Sequence, residues 1–227
     1  MSAETPTIPA EVEEEGNKIA TERLVFFSDA VIAIAITLLA LELPIPQGHT
    51  TAQSWHDFHR HFDDYLAFLI SFVVIANAWF AHHWLYRYVR RVHRRVAGIN
   101  MIWLLTVIVT PFATRALVGD QTAFPMAFTL YAGIQATAQF TLVAMILTIR
   151  HDHLVAAEVS PRVFNRGIAR ALSMAVVFLI SIPVAYRTHW AFALWAANGY
   201  LSRLIAYGLT RRQPRYDQAE RSKPATS

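Results

Sequence analysis

Polar and ionisable side chains interrupt apolar sequence at a few places in this chain, and their spacing limits the chemistry they can do. The stretch RLVFFSDAVIAIAITLLALEL, from Arg23 to Leu43, carries Arg23, Ser28, Asp29 and Glu42. A later one, SFVVIANAWFAHHWLYRY, carries Asn77, Trp79, His82 and His83, and GINMIWLL brings Asn100. Carboxylate, imidazole and carboxamide groups in such surroundings admit interhelical hydrogen bonding, proton relay or metal binding. Adjacent helical histidines point about 100° apart, so His82 and His83 do not readily share one ion. The i, i+4 histidine pair with a neighbouring glutamate is missing too. RHDH, at Arg150–His153, reads as a solvated turn, and TAQSWHDFHRHFDD, at Thr51–Asp64, as an amphipathic segment on the outer surface. Hydrogen bonding and proton relay remain open.

Enzyme chemistry has little to stand on. Cysteine is absent from the 227 residues, which removes thiolate nucleophiles, disulfides and sulfur-ligated metals. A Ser/His/Asp triad and a glycine-rich phosphate loop are missing as well. The chain is read as a non-enzyme that needs no cofactor.

The elements that must position these groups are apolar and long. Hydrophobic residues make up 55% of the chain and charged ones 16%, with a mean hydropathy of +0.32. A membrane helix needs about 20 apolar residues, and segments 24–44, 64–86, 98–118, 124–149, 168–187 and 189–210 qualify. Arginines then sort by side. Arg87, Arg90, Arg91, Arg94 and Arg95 lie between the second and third segments, and Arg150, Arg162 and Arg166 between the fourth and fifth, with Arg170 at the start of the fifth. The last stretch adds Arg203, Arg211, Arg212, Arg215, Arg221 and Lys223, whereas Arg60, Arg115 and Arg187 stand singly on the alternate connections. Positive charge marks the cytoplasmic side, so both termini are expected there. The pI near 9.6 is thereby topology, and nucleic-acid binding is not expected. The expected fold is all-α, a polytopic membrane protein with six transmembrane helices at 21–210. It lies between a disordered acidic tail at 1–20 and a basic cytoplasmic tail at 211–227.

That orientation gathers Arg23, Ser28, Asp29, Asn77, Trp79, His82, His83 and Asn100 into one cytoplasmic-side layer, while Glu42 falls near the opposite surface. Such a network satisfies groups that are expensive to bury alone. Gln135 and Gln139, four apart, with Thr137 and Thr141 beside them, read as interhelical hydrogen-bonding residues. On the first helix Phe27, Ala30, Ile34, Thr37, Leu38 and Leu41 share one broad face.

These pieces resemble the transmembrane protein 175 family, whose eukaryotic members are lysosomal potassium channels. The likeness rests on Arg23, Phe27, Ser28 and Asp29 followed by AVIAIAITLLALEL. Ser71, Phe72, Ile75, Trp79, His82 and His83 add to it, as do Asn100 and the pair Pro111–Phe112. The resemblance implies a homotetramer in the lipid bilayer, with a pore lined by the first helix. It implies a constriction of aliphatic rings at Ile34, Leu38 and Leu41, with Thr37 adding hydroxyls. Arg23, Phe27, Ser28, Asp29, Trp79, His83 and Asn100, with His82 beside them, would anchor that helix from behind, and Glu42 would stand at the outer mouth. The implied activity is a weakly selective, leak-like passage of potassium, the permeant ion, in a prokaryotic inner membrane. A proton-coupled transporter using Asp29 and His83 as relay, and a non-conducting scaffold, are the alternatives.

Overall fold

The computed structural model describes residues 10–119, 121–155, 159–188, 191–192 and 194–195. Among the described residues six α-helices follow one another: α1 (Ala10–Leu41), α2 (Thr51–Arg60), α3 (Phe62–Tyr86), α4 (Arg94–Leu117), α5 (Phe124–His151) and α6 (Pro161–Ala185), with a 3-10 turn at Gln121–Ala123 before α5. All but α2 are long and apolar enough to cross a membrane, and the chain is a multi-pass membrane protein. The sixth expected span, 189–210, lies almost entirely outside the described residues.

Three helix starts differ from those expected, each for a local reason. α1 begins at Ala10, well inside the stretch expected to be disordered. Glu11 and Glu13 occupy its first turn, where carboxylates favour the positive end of the helix dipole. Its 32 residues span about 48 Å, so the helix overshoots a hydrocarbon layer of roughly 30 Å. α4 begins at Arg94, capped by His93, whose side chain accepts from the Val96 amide. α6 begins at Pro161, behind Ser160, whose hydroxyl accepts from the Arg162 amide. Proline suits a first helical position because its missing N–H would be unsatisfied anyway. Arg94, Arg95, Arg162, Arg166 and Arg170 therefore belong to helices rather than loops.

α5 packs against both α4 and α6, whereas α1 packs against α3 and α4. Among the described helices α4 is central, packing against α1, α3 and α5. One core joins Ile32, Ala35 and Leu39 of α1 to Ile75, Leu85, Trp103, Leu104, Met145 and Ile146. The other sits toward the Leu117–Phe124 end and contains Phe124, Phe128, Tyr131, Phe178 and Trp195. There the Trp195 ring stacks on Phe128 and Tyr131, at 4.8 and 5.2 Å, and its indole N–H donates to Ser181 at 2.9 Å. Gly167 lets α6 approach α3, because a Cβ at that position would lie 2.9 Å from the Trp84 ring.

α2 lies outside the membrane-length helices. A capping box between Thr50 and Gln53 starts it, and Phe58 stacks on Tyr65 of α3 at 4.7 Å. Tyr65 in turn donates its hydroxyl proton to the Pro44 carbonyl at 2.7 Å, tying the connection after α1 to the start of α3.

At the opposite end, the α3–α4 and α5–α6 connections are clamped together. The Arg90 amide donates to the Leu154 carbonyl at 3.0 Å, beside an antiparallel bridge between Val89 and Val155. Asp152 accepts from His93 Nε2 at 2.5 Å and His151 Nδ1 at 2.7 Å, with Arg95 at 4.0 Å. Hydrogen bonds from His151 and then His93 hold the Asp152 carboxyl below the usual carboxylate range. A depressed carboxylate adds stability above its ordinary value and loses it as the pH falls through the depressed one. Asp152→Asn is therefore expected to lower the thermal midpoint of the purified protein throughout pH 5–8. The two proteins should converge only in acid, and equal midpoints at pH 7 would remove the clamp's importance.

Candidate functional site

The candidate site is built on α1 and on what holds it. Thr21, Ser28, Ile32, Ala35 and Leu39 are buried, and their spacing of seven, four, three and four residues traces one face. Ile34, Leu38 and Leu41 lie on another and are 58%, 46% and 79% exposed. Thr37 is exposed beside them, its hydroxyl donating to the Ile34 carbonyl at 2.8 Å. That donation uses the hydroxyl's one proton, so toward any further partner the oxygen can act only as an acceptor.

The polar layer behind α1 divides into two branches. The inner branch is buried. Asn100 Nδ2 on α4 donates to Ser28 Oγ at 2.9 Å, and Ser28 donates to the Leu24 carbonyl at 2.8 Å. Asn100 Oδ1 accepts from His82 Nε2 of α3 at 2.9 Å and from the Tyr86 hydroxyl at 3.4 Å. His82 also stacks on Trp103, 4.7 Å away and 13° from parallel. With Asn100 Oδ1 accepting, the His82 proton sits on Nε2, and Nδ1 has no partner among the described residues. Ser28, His82 and Asn100 are each 0% exposed.

The outer branch is shallower. Trp79 Nε1 of α3 donates to Asp29 Oδ1 at 2.8 Å, and the ring of His83 stacks on that indole at 5.4 Å. His83 is exposed. The residues expected in one layer are thus brought together in part: Ser28, His82 and Asn100 in one branch, Asp29, Trp79 and His83 in the other. Arg23 and Phe27 are exposed and outside both; Arg23 makes no hydrogen bond or ion pair among the described residues. Asn77 is also exposed, its amide donating to the Val73 carbonyl at 2.8 Å. The stronger histidine is His82, not His83, and helix phase explains it. Ser71 and Ile75 are buried on α3, and seven residues on, two turns later, comes His82.

A second polar ladder lies deeper and was not assembled from sequence. The Ser71 hydroxyl lies 2.8 Å from that of Thr114 and 3.1 Å from that of Tyr131. Gln135 Nε2 donates to Thr110 Oγ1 at 3.1 Å. Thr110 and Thr114, four apart on α4, were its signal. Gln139 is only half-buried.

At the other end of α1, Arg115 of α4 forms an ion pair with Glu42. The pair borders a cleft of about 340 Å³ that also meets Leu39, Leu41, His61 and Asp64. Among the described residues no group of three or more His, Cys, Asp or Glu side chains is placed to hold a metal.

Asn100 is the joint of the inner branch, because both ends of its carboxamide are used. Asn100→Ala strands the His82 N–H and removes the donor to Ser28, a loss of about 1–3 kcal/mol for a buried unsatisfied group. The expected outcome is a lower thermal midpoint in detergent for Asn100→Ala and a near-unchanged one for Arg23→Gln. The reverse ranking would mean that Arg23 carries the anchoring.

A family model described as "Endosomal/lysosomal potassium channel TMEM175" matches residues 23–111, the segment that holds both branches of the layer. A potassium channel of Streptomyces collinus is 38% identical over 95 residues, covering 42% of this chain and 46% of that protein. The chain thus matches just under half the length of that relative. A potassium channel of Chamaesiphon minutus is 34% identical over 143 residues, covering 61% of this chain and 68% of that protein. The crystal structure of a lysosomal potassium-selective channel TMEM175 homolog from Chamaesiphon minutus superposes with a TM-score of 0.66 at 25% identity, over 86% of this chain and 99% of that one. With sequence and helical arrangement agreeing over most of that relative's length, this chain belongs to the TMEM175 family.

Proposed function

We propose that four copies of this chain form a weakly selective, leak-like potassium channel whose constriction is made by α1. The observation that carries the reading is the exposed aliphatic face of α1. Ile34, Thr37, Leu38 and Leu41 are exposed among the described residues, while the opposite face is held by Ser28, Ile32, Ala35 and Leu39. Among the described residues α1 packs against α3 and α4, which leaves this face open to copies of itself. One helix cannot enclose a pore, and cyclic symmetry supplies the others. Rings of Ile34, Leu38 and Leu41 then narrow the path, and Thr37 offers an oxygen acceptor between them.

An aliphatic constriction works by dewetting rather than by carbonyl ligands. Potassium holds its hydration shell less tightly than sodium and crosses such a ring more readily, but the margin is small. The channel is proposed to span residues 21–210 in a prokaryotic inner membrane with both termini cytoplasmic. A proton relay through Asp29 and His83 has weaker footing. Asp29 Oδ1 is taken by the Trp79 indole, and no hydrogen bond joins Asp29 to His83 among the described residues.

Reconstitution in a planar bilayer with potassium on one side and sodium on the other tests the reading. The expected result is a steady current whose reversal potential favours potassium modestly. Ile34→Ala and Leu38→Ala are each expected to raise the current and bring the two permeabilities closer together. Silence from wild-type protein shown to be tetrameric would sink the proposal.

A further inference from the structure

The channel reading leaves unexplained why the acidic residue at the outer end of α1 is held by a cation from another helix. Glu42 lies one residue beyond α1 and four beyond Leu38, so it continues the exposed stripe within about 40°. Its carboxylate oxygen Oε2 accepts from Arg115 Nη1. Arg115 comes from the last turn of α4, where a cation also complements the helix dipole. The pair is 73 residues apart in sequence, so the fold assembles it. The second carboxylate bordering the cleft, Asp64, is turned to His61 at 3.2 Å.

We propose that Arg115 sets the cation conductance of the outer mouth by masking the charge of Glu42. This rests on the channel reading above. In a tetramer, four Glu42–Arg115 pairs present four dipoles. Without the arginines the same ring presents four uncompensated negative charges, which concentrate cations at the entrance. The pair is accessible: the Arg115 side chain is 70% exposed and that of Glu42 41%. Its contribution to folding is therefore small, and removing either partner changes the field without dismantling the helix packing. The effect has a range of about 8 Å at physiological salt and about 30 Å at 0.01 M, so salt is a direct handle on it.

Masking makes a signed prediction that a lone mouth carboxylate does not. At low ionic strength Arg115→Gln is expected to raise inward single-channel potassium conductance by roughly two- to five-fold. Glu42→Gln, which leaves the arginine unopposed, is expected to lower it, and the double variant is expected to return near wild type. At 1 M salt all four should converge. Should Arg115→Gln assemble poorly, the exchange variant Glu42→Arg with Arg115→Glu, which keeps a neutral pair, is expected to conduct near the wild-type level.

Three results would overturn the proposal: Arg115→Gln equal to wild type at low salt, a gain that persists without Glu42, or loss of current in an assembled exchange variant. Each of these presupposes wild-type current, so they stand apart from failure of the channel reading, which would appear as a silent wild type.

Discussion

A single carboxamide determines which way α1 faces. Asn100 hydrogen-bonds Ser28 of α1 with one end and His82 of α3 with the other, so three helices meet at one side chain. In an apolar environment unpaired polar groups are expensive, and the alternatives to this arrangement leave donors or acceptors stranded. Because a helix is stiff about its axis, turning Ser28 inward fixes the azimuth of everything after it. Ile32, Ala35 and Leu39 follow it into the core, and Ile34, Leu38 and Leu41 are left on the outside.

Apolar burial alone does little to fix that phase in a bilayer, since lipid tails are as apolar as leucine. Any face of AVIAIAITLLAL packs acceptably against hydrocarbon or against a neighbour. Specificity comes instead from small residues and hydrogen bonds. Ala35, Ala138, Ala171 and Ala175 are buried and let backbones come close, as Gly167 does beneath Trp84. The ladder of Thr110, Thr114, Ser71, Tyr131 and Gln135 does for α3, α4 and α5 what Asn100 does for α1, α3 and α4. α4 carries partners of both networks, and it is the most enclosed of the membrane-length helices.

The first five spans were legible in the sequence, because twenty apolar residues between arginine-rich connections leave few other readings. The helix starts were less so, because caps are local and the apolar runs begin later than the caps do. Ser160–Pro161 and His93 carried that signal in two or three residues each, and the acidic first turn of α1 resembled a tail. The polar layer was legible as a set but not as a geometry. Two adjacent histidines look equivalent until the phase of Ser71 and Ile75 is followed along α3, and Asn77 shares the depth but not the face. The pair of Glu42 and Arg115 had no local signature, since their contact depends on how α1 and α4 cross. The sixth expected span, at 189–210, lies outside the described residues apart from four positions, of which Phe192 and Trp195 join the second core.

The middle of α1 and its C-terminal end are held by interactions of different kinds. Toward Ser28 the partners are fully buried and directional, and moving them leaves donors and acceptors unpaired. Toward Glu42 the ties are an exposed ion pair, weak on its own and screened by salt, and the Tyr65–Pro44 hydrogen bond just beyond the helix. Beyond Leu39, packing on the subunit thins out: Leu41 is 79% exposed and Ile45 81%. The helix is therefore pinned at Ser28 and more loosely held toward Glu42. Displacement about that pin grows with distance, so it moves Leu41 more than Leu38 and Leu38 more than Ile34. Of the three aliphatic positions, Ile34 is the one whose place the buried hydrogen bonds define most tightly. In the proposed channel a constriction of fixed width is best placed there, and adjustment of width belongs to the Glu42 end.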